Sequence, residues 1–128
     1  MMKVKQLLDY AATHPYAIVT YNASDMVLAA HSDASYLSES NARSRAGGHF
    51  FMSSDSETPP NNGAVMTISQ IIKAGVLSSA AEAEVGALFI NCREAVPARH
   101  VLKFLGHKQP PTPMQTDNTS AWEWSIRM

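Results

Sequence analysis

A long, well-signalled helix beginning at Ser79 stands between β-type sequence on both sides, and it limits the folds open to this chain. Ser79 followed three residues later by Glu82 makes a capping box. Behind it Ala81, Val85, Leu88, Phe89 and Cys92 recur as an apolar stripe at helical spacing. Pro97 predicts a break or kink, and a second helical piece over 98–105 ends at Gly106. Strand-type runs over 26–31, 45–52 and 64–72 precede the helix, and a short strand over 114–116 follows the extended linker 108–113. Three consecutive strands predict an antiparallel meander. A strand that returns after a helix should lie parallel to its partner, by a right-handed crossover. The expected class is α/β with a mixed sheet.

Smaller signals fill in the rest. Residues 4–12 read as a short amphipathic helix that Pro15 ends, 17–21 as a β-type run, and 22–25 as a turn. The stretch 38–44 reads as a polar loop. Gly47-Gly48 inside a strand predicts a bulge or a close backbone approach. Residues 53–62 read as a loop in which Asn62-Gly63 is a hairpin signal. There is no internal repeat and no low-complexity tract.

Three acidic residues sit where such elements begin or end. Asp33 follows the first apolar run, Glu84 lies early in the capped helix, and Asp117 closes the last strand. Each has a bland reading by itself: a solvated strand end, a carboxylate favoured by the helix dipole, a turn residue. Brought to one point, they would form an oxygen-ligand site for a hard divalent ion. Glu82 is explained by the capping box and is left out of the site.

Length and composition narrow the function. A chain of 128 residues with 45% hydrophobic content supports one packed domain. No run of 18 apolar residues and no charged-then-apolar leader predict a chain without membrane span or signal peptide. The single Cys92 reads as a small core hydrophobe in an intracellular, reducing setting, cytoplasmic or nuclear. A net charge of −1 lacks the basic excess of a free-standing nucleic-acid binder. His31, His49, His100 and His107 fall on separate predicted elements without paired ligand spacing, and read as scattered structural or surface residues. Arg43, Arg45, Lys73, Arg93, Arg99, Lys103 and Lys108 could line a groove, with a solvated face as the default. No glycine-rich phosphate loop or nucleophile motif points to a small-molecule enzyme.

At these acids the chain resembles the ribonuclease H domain of copia-type retrotransposon polyproteins. His31-Ser32-Asp33-Ala34 is similar to that family's "SDAD" strand end, and the stretch from Arg43 to Phe51 to its "RRSTSGYVFF". Asn62-Gly63-Ala64-Val65 through Leu77-Ser78-Ser79 to Glu84 resembles "GGAISW…LSSTEAEY". Thr116-Asp117-Asn118-Thr119-Ser120-Ala121 resembles "CDNQSA". The likeness covers 26–121, leaving 1–25 as a connecting helix and strand and 122–128 as a tail outside it.

The resemblance implies a ribonuclease H-like mixed sheet, with the last strand and C-terminal helix missing. It implies cleavage of RNA in RNA–DNA hybrids with two Mg²⁺ (or Mn²⁺) ions, and an upstream reverse transcriptase domain as partner. Asp33, Glu84 and Asp117 fall on the family's first three metal-binding carboxylates. Ser35 and Asn118 are the polar neighbours that could sense a 2′-hydroxyl, or be ordinary exposed turn residues. The family's fourth carboxylate has no counterpart, so the isolated chain is expected to be weak or inactive and to self-associate through uncovered sheet. The alternative is a non-catalytic remnant or interaction module that keeps the fold.

Overall fold

The computed structural model describes residues 2–56, 60–73 and 76–117. In chain order the elements are α1 (Met2–Thr13), β1 (Val27–Glu39), β2 (Arg43–Ser53), β3 (Met66–Ile71), α2 (Ala80–Phe104) and β4 (Met114–Thr116). One mixed sheet has the order β3-β2-β1-β4. β1 pairs antiparallel with β2, β2 antiparallel with β3, and β4 runs parallel to β1. The expected meander and parallel return are both present.

Four local expectations change. The polar stretch 38–44 is not a loop: β1 runs to Glu39, Glu39 pairs with Arg43, and only residues 40–42 turn. Asn41 and Ala42 carry positive φ of 62° and 53° to make so short a reversal. Leu37, at φ 51°, sits within the register shift between Ser35 and Glu39. The run 17–21 is not a strand. It crosses the 62–64 segment, where Thr20 O accepts from Gly63 N at 2.9 Å and Tyr21 OH donates to Ala64 O.

Asn62-Gly63 is likewise no hairpin turn. Asn62 is buried, its Oδ1 accepting from Asn22 N and its Nδ2 donating to Met52 O. Finally, Pro97 does not divide α2. It is exposed, inside one continuous helix.

The helix ends are built as their residues dictate. Ser79 Oγ accepts from Glu82 N at 3.1 Å. The return arm of the expected box goes one residue further out: Glu82 Oε2 accepts from both Ser78 N and Ser78 Oγ at 2.7 Å. At the other end Gly106, at φ 92°, closes a Schellman motif, with His107 N donating to Leu102 O and Gly106 N to Lys103 O.

The core lies between one face of the sheet and α2. Leu28, Ala30 and Phe50 meet Ala95 and Leu102 at one end. Ala46, Ile72 and Leu77 meet Ala83, Ala87 and Ile90 at the other. Alanines on the inward side let the helix approach the sheet closely. The stripe read from the sequence is therefore right at two of its five positions: Leu88 and Cys92 are buried, whereas Ala81, Val85 and Phe89 are exposed.

Candidate metal centre

Register decides where the acids go. In the parallel pair, Ala30 stands opposite Met114, His31 opposite Gln115 and Ser32 opposite Thr116. Asp33 and Asp117 are each the next residue, so adjacent strands deliver them at one level. Glu84 comes from α2, one turn past the cap. Ligand oxygens of Asp33, Glu84 and Asp117 all lie within 4.8 Å of one another. Among the described residues no other group of three acids, histidines or cysteines converges in this way.

Glu84 is the anchored member. It is buried, Ala34 N donates to its Oε1 at 3.2 Å, and Thr116 Oγ1 donates to its Oε2 at 3.3 Å. Its carboxyl is held above the usual carboxylate range, first by burial and then by the charges of Asp33 and Asp117, against the opposing pull of the Ala34 hydrogen bond. Asp33 and Asp117 are exposed. Among the described residues no lysine or arginine forms an ion pair with any of the three. Three converging carboxylates, all hard oxygen donors, fit a divalent cation.

A buried amide holds the frame. Asn91, two turns beyond Glu84, donates through Nδ2 to Ser32 Oγ and to Gly47 O, both at 2.8 Å. It thereby ties α2 to β1 beside Asp33 and to β2. Its Oδ1 has no hydrogen-bond partner and packs against Gly48, where a Cβ would stand 2.3 Å away. The glycine pair is thus a close approach rather than a bulge, as the unbroken β1–β2 pairing at 47 and 48 also shows.

The segment leading to β4 is clamped as well. Arg99 donates to Gln109 O, Pro110 O and Thr112 Oγ1. The Gln109 side chain accepts from Leu28 N and donates to Met26 O, pairing with β1 before β4 begins.

A cleft of about 340 Å³ opens at the acids, lined by His31, Ser32, Asp33, Asn61, Gln115, Thr116 and Asp117. Ser35 is not on that wall: it is exposed, its hydroxyl 2.6 Å from that of Ser38. Asn118 lies outside the described residues. His31 and His49 stand opposite each other across β1 and β2, rings 6.0 Å apart, and His31 meets Phe51 edge-on. Burial and the neighbouring His49 lower the His31 pKa, opposed by a hydrogen bond with Gln115. The sequence hid the His31–His49 pairing and the Asn61 wall, because strand register and loop path are long-range properties. Asn91 left one trace, a polar residue among small ones on the inward side of α2.

Among the described residues no lysine or arginine lines the cleft at the acids. Arg45 pairs with Glu39 at 2.6 Å, Arg93 with its neighbour Glu94, and Arg99 serves the linker. A larger cleft of about 750 Å³ lies at the other end of β1, between Asp25, Asp55, Lys103 and the 106–110 segment. Charges of both signs line it, and it holds none of the three converging acids. Among the described residues no helix is long and apolar enough to cross a membrane. No family model, curated protein or solved structure matches this chain.

Proposed function

We propose that this chain is a retrotransposon-derived ribonuclease H-like domain that hydrolyses the RNA strand of RNA–DNA hybrids, with Mg²⁺ or Mn²⁺ held by Asp33, Glu84 and Asp117. The convergence of these three carboxylates carries the reading. The mixed sheet, antiparallel with one parallel edge strand, is compatible with that fold. Divalent ions bound there supply Lewis-acid polarisation of the phosphate oxygens and of the attacking water.

The chain's own groups do the rest. Glu84 stays fixed through Ala34 N and Thr116 Oγ1, with its oxygens beside those of Asp33 and Asp117. Asp33 and Asp117, both exposed, would hold the ions that face the phosphodiester. His31, Asn61 and Gln115 offer imidazole and amide groups to sugar and base edges. Affinity for the hybrid is low in isolation, because the chain lacks a basic excess and a neighbouring polymerase domain supplies the grip. Turnover is slow, because among the described residues only three carboxylates form the set.

Calorimetric titration with Mg²⁺ and Mn²⁺ should show millimolar binding that Asp33→Asn abolishes. Saturation at ten times Kd should raise unfolding stability by about 1.4 kcal/mol. A labelled hybrid should then be cut slowly in the RNA strand by the wild type and not by Asp33→Asn. No cation binding at tens of millimolar, or equal cleavage by Asp33→Asn, refutes the proposal. Cation binding without cleavage favours a non-catalytic module.

A further inference from the structure

His31 and His49 stand directly opposite each other in the β1–β2 ladder. Strand alternation puts both on the sheet face away from α2, because Leu28, Ala30 and Phe50 at the intervening positions carry the core. The two rings are half-buried, 6.0 Å apart between centroids and 26° from parallel.

Each ring already commits one nitrogen. His49 Nε2 lies 3.0 Å from Asn62 O, a carbonyl that only accepts. In the neutral ring Nε2 therefore carries the proton and Nδ1 keeps its lone pair. His31 shares a hydrogen bond with the side chain of Gln115, its neighbour in the β1–β4 ladder. Metal-binding histidines are held in this manner: the nitrogen remote from the ion bonds to a carbonyl or carboxylate, which fixes the tautomer and the ring.

We propose that His31 and His49 form a second cation site, a two-imidazole clamp for Zn²⁺, beside the three acids and distinct from them. Two imidazole nitrogens on one tetrahedral zinc, at about 2.0–2.1 Å each, put the ring centres roughly 5 Å apart. The 6.0 Å seen here closes to that with about 1 Å of side-chain movement. Water fills the remaining positions. The surroundings favour a cation. Asp33 stands two residues from His31 on the same strand face, and His31 lines the cleft that holds Asp33 and Asp117. Imidazole suits zinc, whereas magnesium keeps to oxygen ligands. This inference does not rest on the hydrolytic proposal, which makes no use of His49.

Zinc titration of the full chain, followed through the imidazole ¹H–¹⁵N signals and by calorimetry, tests it. One equivalent of Zn²⁺ should move the ring nitrogens of both His31 and His49, with micromolar affinity, and excess Mg²⁺ should leave those signals in place. His49→Gln keeps an amide donor for Asn62 O but removes the imidazole, and should weaken zinc binding by about tenfold or more. His31→Gln should do the same. Circular dichroism and a cooperative urea curve confirm that the variants fold. Zinc that moves neither ring in the wild type overturns the proposal without any variant. Unchanged affinity in both variants places the ion elsewhere, at the acids or at Cys92, and also overturns it. So does binding at millimolar zinc alone.

Discussion

The substitution Gly48→Ala tests the frame of the metal centre most sharply. The added methyl would stand 2.3 Å from Asn91 Oδ1 and 3.0 Å from both Asn91 Cγ and Phe50 Cε2. Ordinary contact begins near 3.4 Å, so the amide must retreat by about 1 Å. Both groups are fully buried, and the retreat stretches two hydrogen bonds of 2.8 Å beyond bonding range. Two such bonds are worth roughly 1 kcal/mol each. Overpacking adds about 1–3 kcal/mol. The restricted unfolded chain returns about 0.5–1 kcal/mol. The expected net loss is about 3 kcal/mol, a large share of a typical domain's stability.

Urea unfolding with an unchanged m-value would measure it. Gly47→Ala is the control, because a Cβ there meets only Asp33 O at an ordinary 3.6 Å; it should cost less than about 0.5 kcal/mol. In an Asn91→Ala background the Gly48→Ala penalty should fall by about 2 kcal/mol, a coupling that a double-mutant cycle reads directly. A Gly48→Ala loss below about 1 kcal/mol, or strict additivity with Asn91→Ala, would refute the argument.

Three further outcomes follow from the same contacts. Glu84 has a raised folded-state pKa, so its stabilising share is present at low pH and is lost as pH rises through that value. Without divalent ions Glu84→Gln should therefore be more stable than wild type at neutral pH, the gap closing as pH falls into the ordinary carboxylate range. Urea midpoints across pH measure this, and a gap independent of pH contradicts it. Arg99→Ala removes the donor to Gln109 O, Pro110 O and Thr112 Oγ1. It should cost about 2–3 kcal/mol and weaken Mg²⁺ binding, since the loosened linker delivers Asp117; calorimetry on the variant decides. Ala42 holds φ at 53° in the turn, so Ala42→Gly should raise stability by about 0.5–1 kcal/mol in the same unfolding assay.

Much of the secondary structure is legible in the sequence by itself, because its signals are local. The Ser79 cap, the Gly106 stop, the three strand-type runs and the returning strand at 114–116 depend on neighbours a few residues away. So do the positions of Glu84 early in the capped helix and of Asp117 just past the returning strand, whereas Asp33, read as a strand end, lies in the middle of β1 because that strand continues to Glu39. Non-local terms decide the rest. Both sides of α2 satisfy a helical period, and the smaller alanine side won because it lets the helix approach the sheet. Gly48 and Asn91 are 43 residues apart in sequence, His31 and His49 are 18 apart, and each pair exists only through packing or strand register. The strand-like 17–21 run joins no strand ladder and instead bonds to Gly63 and Ala64, a placement set by contacts more than 40 residues away. The convergence of three carboxylates is likewise a product of the β1–β4 register and the seating of α2, which no stretch of sequence encodes alone.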